Sequence, residues 1–464
     1  MKNYLILIFA FISFTISAQN HTSDRIQPFK KNPSFWQYKS EPILLIGGST
    51  NDNLFQNGDV LEELDLIKLV GGNYVRNTLS SRDERDEWPY WRSGERFNLD
   101  KFNKEYWEAL DNFLKLSSER NIIVQLEIWS YEDFTSAWDK NPWNPNNNQI
   151  FTGGNSTLSP EGFENKQESR NNFFLSVPKL NNDSLLLIYQ KLFVDHLLTI
   201  SFKYDNIIYS ITDNINPRYS IEWGWFWSDY IRKKAVSENL EIEISEALGE
   251  EDVLDEQYKA IFNHPEIYSF VDISQNSLAL NEGHWEKLIG VKQAISKDPR
   301  PVNYAKVYGG QLGEWTGGPS HGIERFWRNL IAGSASSRFE AEPFGLGLSL
   351  RAQMHIKSAC LLGKEYNFFS SVPDENSSLI LEREEDEAYL AKNSNNDVVV
   401  YFTDGGQIIL DFTDFEGDYK LKWLNLEGAN WHKEITLKGG GILELTSPYA
   451  GNWVALLSKV ESSQ

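Results

Sequence analysis

Asn121-Ile122-Ile123-Val124-Gln125-Leu126-Glu127-Ile128-Trp129 reads as a buried strand, short, nearly all apolar and ending in a carboxylate and an indole. Before it, Phe102, Tyr106, Leu110, Phe113 and Leu116 fall at helical spacing, with Asp100 near the start. After it comes a long polar loop rich in Asn, Pro and Trp, to about residue 180, then a helix from Leu185 to Ile200. The same unit recurs in both directions. Upstream are strands at Pro42–Gly48 and Asn73–Asn77, joined by a helix through Val60, Leu64 and Ile67. Downstream are Asn206–Ile211, Leu240–Glu246, Phe270–Ser274 and Val302–Val307, with a Trp-rich helix from Tyr219 to Ser237. A helix from His321 to Ala332 leads to an eighth strand, Ser336–Phe339, and a helix from Ser349 to Leu362 follows. Eight strand-then-helix units predict a (β/α)8 TIM barrel. No Gly-rich phosphate fingerprint follows any strand, which removes a dinucleotide-binding sheet.

From about residue 375 the texture changes to short strands such as Asp397–Phe402, Gln407–Phe412, Tyr419–Leu424 and Trp453–Leu457, separated by Gly, Asp and Asn turns. This predicts a small antiparallel β-sandwich over residues 375 to 464, after a barrel over 19 to 370. Tyr366, Phe368 and Phe369 at the junction, with few linker residues, predict that the sandwich packs on the barrel. At the other end, Met1-Lys2-Asn3, the apolar run Tyr4–Phe14 and the small residues to Ala18 form an export signal over residues 1–18. No cysteine follows the apolar run, so no lipoprotein anchor is expected, and no later stretch is apolar enough to span a membrane. The expected location is periplasmic or secreted.

The 464 residues carry 44 Lys and Arg against 66 Asp and Glu, a net charge of -22, which disfavours nucleic acid and anionic membranes as partners. A single cysteine, Cys360, rules out an intrachain disulfide or a Cys-based zinc site. No HExxH motif or GxSxG elbow occurs, so neither a catalytic zinc nor an α/β-hydrolase is expected, and no cofactor is. With 16 Trp and 20 Tyr, the chain has aromatic surface for large cores or for stacking on sugar rings.

In such a barrel the active site lies at the C-terminal ends of the strands. The polar residues there are Arg76 and Asn77, Glu127 and Trp129, Asp213 and Asn214, Glu246, Gln275 and Asn276, Lys306 and Tyr308, and Glu340 and Glu342. Several carboxylates on one rim, with Trp138 and Trp143 in the long third loop, suit glycoside hydrolysis: one carboxyl protonates the leaving oxygen, another attacks or activates water, and aromatic faces hold the sugar. His284 joins the candidate sugar contacts, although a lone histidine there is more often structural.

Several segments resemble the apiosidase-like glycoside hydrolases, barrels with a C-terminal sandwich often labelled collagen-binding. Ile211-Thr212-Asp213-Asn214-Ile215-Asn216-Pro217 is similar to the family's fourth-strand motif, which maps Asp213 onto a catalytic carboxylate. Val399–Gly406, Trp423-Leu424-Asn425 and Gly451–Leu457 resemble the accessory domain. The resemblance implies a second glutamate on strand seven, after a Pro-Val pair, but Pro301-Val302-Asn303-Tyr304-Ala305-Lys306 puts Lys306 at or beside that place. The wider clan's Asn-Glu at strand four is likewise absent from Asn214-Ile215. Glu127, Glu314 and Glu246 are the candidate substitutes; Glu314 is better placed by topology and Glu127 better fixed by its strand. Lys306, with Arg76 and Arg338, would make a basic spot suited to a uronic or sulfated sugar. The expected function is an exported hydrolase of a poly- or oligosaccharide; the alternative is an inactive barrel that binds glycan.

Overall fold

The computed structural model describes residues 24–81, 83–152, 154–160, 172–215, 221–312 and 316–460. Eight short parallel strands form the centre: β1 Leu45–Gly48, β2 Tyr74–Thr78, β3 Ile123–Ser130, β4 Ile207–Asp213, β5 Ile244–Ser245, β6 Val271–Asp272, β7 Val302–Asn303 and β8 Ser336–Phe339. Hydrogen-bonded neighbours run β5-β4-β3-β2-β1-β8 in one sheet and β6-β7 in another. Backbone bonds from Ser269 to Ile244 and from Ala335 to Val302, with the bridge Val307↔Phe339, link the two sheets into a ring. The chain is a TIM barrel. Its strands are buried along their whole length, which is why they read as apolar runs rather than alternating ones.

Helices α1 Val60–Leu69, α2 Lys104–Glu119, α3 Ser184–Ser201, α4 Glu222–Ser237, α5 Lys259–Phe262, α6 Asn281–Ala294, α7 Pro319–Ile331 and α8 Leu350–Gly363 follow the strands in turn. Side-chain caps fix where several begin: Asn103 accepts from the Glu105 amide, Asp183 from Leu186 and Ser349 from Ala352. Tyr219, expected to open α4, lies outside the described residues. Strands five to seven are shorter than their apolar stretches predict, because only two residues of each pair with a neighbour.

The barrel interior is apolar at one level and polar above it. Trp36, from an N-terminal hairpin, packs with Leu45, Tyr74, Ile123 and Ile208. Next to them Tyr74 donates to Gln125 at 2.6 Å, and Gln125 donates to Asp272 at 2.6 Å. Trp36 donates its indole N–H to Asn303 at 2.9 Å. Every one of these buried polar groups has a partner, as a low-dielectric interior requires.

One hairpin was not expected from the sequence. Tyr90–Ser93 pairs with Arg96–Phe102 between β2 and α2. Its turn signal is Gly94, which takes a positive φ of 63°.

Ten strands between Val372 and Lys459 make a sandwich of two sheets. Its strand Val398–Phe402 is buried throughout. Val398, Val400 and Phe402 face the sandwich interior, while Val399 and Tyr401 join the barrel's own core. Tyr401 stacks on Trp327 of α7 with centroids 6.0 Å apart, Tyr389 meets Trp285 of α6, and Arg328 pairs with Asp386 at 2.7 Å.

Candidate active site

The pleat of β2 aims Arg76 into the mouth of the barrel, where its guanidinium gathers four carboxylates. One nitrogen contacts Glu127 at 2.8 Å and Asp213 at 3.1 Å. The other contacts Glu340 at 3.4 Å and Asp52 at 3.5 Å. Arg338 contacts Glu340 at 3.4 Å and donates to Ser49 and to the Ala305 carbonyl. Asp213 also accepts from the Tyr131 amide at 2.7 Å, so both its oxygens are held. Sequence reasoning found Arg76, Glu127, Asp213 and Glu340, and missed Asp52, which sits in the loop after β1 rather than at a strand end.

Beside this cluster, Asn214 takes a left-handed φ of 48°, which asparagine tolerates better than most residues. The turn presents its side-chain oxygen to Lys306 Nζ at 2.5 Å and to Gln275 Nε2, with Tyr308 bonded to the same side chain. The structure thus brings Lys306, Gln275, Tyr308 and Asn214 together next to Asp213. The position where the resemblance expects the strand-seven glutamate holds Lys306, bonded to Asn214.

The expected partners of Asp213 lie elsewhere or deeper. Glu127 is 0% exposed; burial lifts its pKa to about 7, with Arg76 opposing the rise. It touches the same Arg76 nitrogen as Asp213, with Asp213 and Lys306 as charged neighbours, and is fully enclosed. Glu246 is also buried, and burial raises its pKa to about 7. It accepts from Tyr268 at 2.6 Å and from Thr212 at 3.3 Å, and it lies against Gly224 of α4, where a Cβ would overlap its carboxylate. It braces the wall between β5 and α4 rather than contacting substrate. Glu314 lies outside the described residues.

Three further expectations are corrected. Asn77 is spent on the backbone, accepting from the Phe55 amide and donating to Thr78. His284 is buried on α6 beside Tyr304, with its backbone carbonyl bonded to Asn276; burial and nearby Arg328 and Arg325 hold its pKa well below the usual value. It packs behind the barrel wall, away from the mouth.

In the described part of the third loop the tryptophans are core, not cleft wall. Trp138 is 2% exposed and Trp143 3%, and Trp129 is equally buried. Their rings are covered: Trp129 by Phe193 and Trp227, Trp143 by Phe151 and Phe173, Trp138 by Phe134. A sugar therefore has no free face to stack on. The loop tolerates burial because its asparagines satisfy its backbone: Asn141 donates to Asp133, Asn147 to Asp139 and Asn148 to Asn144. Changing Trp138 or Trp143 to Ala should cost about 3–5 kcal/mol each in urea unfolding, the range for emptying a large aromatic site. Unchanged stability with weakened glycan binding would return these rings to the cleft.

Among the described residues no helix is long and apolar enough to cross a membrane, and no three His, Cys, Asp or Glu side chains are grouped to hold a metal ion.

No family model matches the sequence, and no curated protein matches it. Solved structures do. One described as a glycoside hydrolase has a TM-score of 0.64 at 12% identity, over 96% of this chain and 99% of its own. A glycoside hydrolase family 5 protein from Bacteroides vulgatus has a TM-score of 0.65 at 14% identity, over 94% of this chain and 93% of its own. A family 5 mannosidase from Rhizomucor miehei, a mutant form in complex with mannosyl-fructose, has a TM-score of 0.50 at 16% identity, over 74% of this chain and 98% of its own. At these identities the likeness is one of fold, and for the first two it runs through barrel and sandwich together.

Proposed function

We propose that the chain is an exported glycoside hydrolase that cleaves an oligo- or polysaccharide at the Arg76 cluster. The observation that carries this reading is a pair of carboxyls from opposite strands of the ring. Asp213 ends β4 and Glu340 follows β8, and each meets its own nitrogen of the Arg76 fork at the C-terminal mouth. Opposed carboxyls are what glycoside cleavage needs, one giving a proton to the leaving oxygen and the other attacking carbon or deprotonating water. Arg76 orients both and offsets their mutual repulsion. Glu127, fully buried against the same Arg76 nitrogen, acts as a positioning residue. The fourth-strand likeness to apiosidase-like hydrolases and the family 5 fold of the neighbours support the same class. Export rests on the leader pattern of residues 1–18.

Among the described residues at the mouth, Arg76 and Arg338 are already matched by carboxylates, which leaves Lys306 to recognise an acidic sugar. The substrate we infer is therefore a neutral glycan rather than a uronic or sulfated one.

A second reading is favoured by one contact. Lys306, bonded to Asn214 at 2.5 Å, stands at or beside the expected place of the strand-seven glutamate, which suits a barrel that binds glycan without cutting it. Reducing-end release on a panel of neutral, uronic and sulfated glycans separates the two. On a cleaved glycan, Asp213→Asn and Glu340→Gln should each lower kcat about 10²–10⁴-fold with KM little changed, the usual share of a proton-transferring group. Near-parental turnover in Asp213→Asn would remove this assignment. Calorimetric binding without cleavage by the parent would establish the second reading.

A further inference from the structure

On the same rim, a separate cleft of about 860 Å³ opens between the segment after β2, the Tyr90–Phe102 hairpin and Lys140 of the third loop. It adjoins the Arg76 cluster through one peptide. Asp52 meets Arg76 at 3.5 Å, and Asn53, the next residue, donates to Asp86 in the cleft wall at 2.7 Å. Consecutive Cα atoms are about 3.8 Å apart, so cleft and cluster are neighbours.

The lining combines two kinds of group. Trp88 and Trp91 supply aromatic surface; Trp91 is 46% exposed, an indole left in water on a rigid hairpin, with the Lys101 ammonium 5.2 Å from its ring centroid. The hairpin is pinned by reciprocal backbone bonds between Phe97 and the third loop, at Asn147 and Gln149. Around the rings stand four carboxylates, from Asp83 to Glu87, against three cations, Arg92, Lys140 and the Lys101 on Trp91. Burial raises the Asp86 pKa to about 6, although the Asp83 amide and Asn53 both donate to its carboxylate.

An exposed indole among carboxylates matches a sugar ring, whose C–H face stacks on the aromatic plane and whose hydroxyls donate to the carboxylates. The slight acidic excess of this lining, within a chain of net charge -22, disfavours an anionic ligand. We propose that this cleft is a distal subsite for a neutral sugar of the same glycan chain that the Arg76 cluster cuts; in this it rests on the hydrolase reading.

The test is calorimetric titration of the full chain with short and long neutral hexose oligosaccharides, and with a uronic-acid oligosaccharide as charged control. The parent should bind the long neutral chain more tightly than the short one and the charged one more weakly. Trp91→Ala should weaken the long chain about tenfold, the scale of one lost stacking contact, and Trp91→Phe should restore most of it. Because Trp91 is half exposed, its removal leaves the core intact, and a melting curve checks this. Equal affinity of Trp91→Ala and parent for the long chain, or no binding of any neutral probe, overturns the subsite. Repeating the titration in Asp213→Asn separates the two claims. Trp91-dependent binding in a parent that cuts nothing keeps the subsite and removes the hydrolase, whereas cleavage without Trp91 dependence does the reverse.

Discussion

Arg76→Met should unfold with about 3–5 kcal/mol less stability than the parent at neutral pH, the cost of leaving buried charge without its partner. The methionine fills much of the volume, so the loss reports charge. Glu127, Asp213 and Glu340 all lie within 3.4 Å of the guanidinium, and none of these three is substantially exposed. The pH dependence has a definite sign. Glu127 has a folded pKa of about 7 against an ordinary 4.5, so the fold holds its proton more tightly than the unfolded chain does. Ionising it in the fold is therefore unfavourable, and losing Arg76 removes the main opposing attraction. The Glu127 share of the variant's deficit should be absent below about pH 7, where the fold keeps that carboxyl protonated with or without Arg76, and should grow as pH rises above 7, where the parent can ionise it beside Arg76 and the variant cannot. Denaturant midpoints across that window test it; a variant that melts like the parent throughout would mean that the four carboxylates do not depend on Arg76.

Removing residues 372–464 should leave a barrel that does not accumulate as a folded, soluble protein. Tyr389, Val399, Tyr401, Val454 and Leu456 belong to the same apolar cluster as Trp285 and Trp327 of the barrel. Each large side chain returned to water costs about 1.5–3 kcal/mol, and several together match the about 5–15 kcal/mol that hold a typical domain folded. Ser358 of α8 also loses its partner, the Leu426 carbonyl, and Arg328 loses Asp386. A truncated barrel with the parent's melting temperature would contradict this.

Much of the barrel was legible because its strands are buried on both faces. Ile122 to Trp129 and Leu44 to Gly48 are mostly apolar runs bounded by polar turns, broken in the first only by Gln125 and Glu127, and the eighth strand was read to the residue. Strands five to seven were overextended because an apolar segment stays apolar after its ladder hydrogen bonds end. Six of the residues gathered at the mouth, Arg76, Asp213, Gln275, Lys306, Tyr308 and Glu340, follow from the rule that strand ends carry chemistry. Asp52 escaped that rule by sitting three residues beyond Ser49 in a loop. The third-loop tryptophans were misread for a different reason. Composition reveals an aromatic ring but not whether another ring covers it, and only the packing of Phe134, Phe173 and Phe193 against them decides that. Trp91, the exposed one, lies in the hairpin that the periodicity did not disclose.

The described part of the third loop has a consequence for how a glycan is chosen. Its interlocked rings and backbone-bonded asparagines form a fixed wall that does not itself fold over an incoming chain. Recognition on that side is by exclusion: a branch that collides with the wall is refused, not accommodated. A chain that fits finds the surface already ordered, so its association carries little entropic penalty from loop closure.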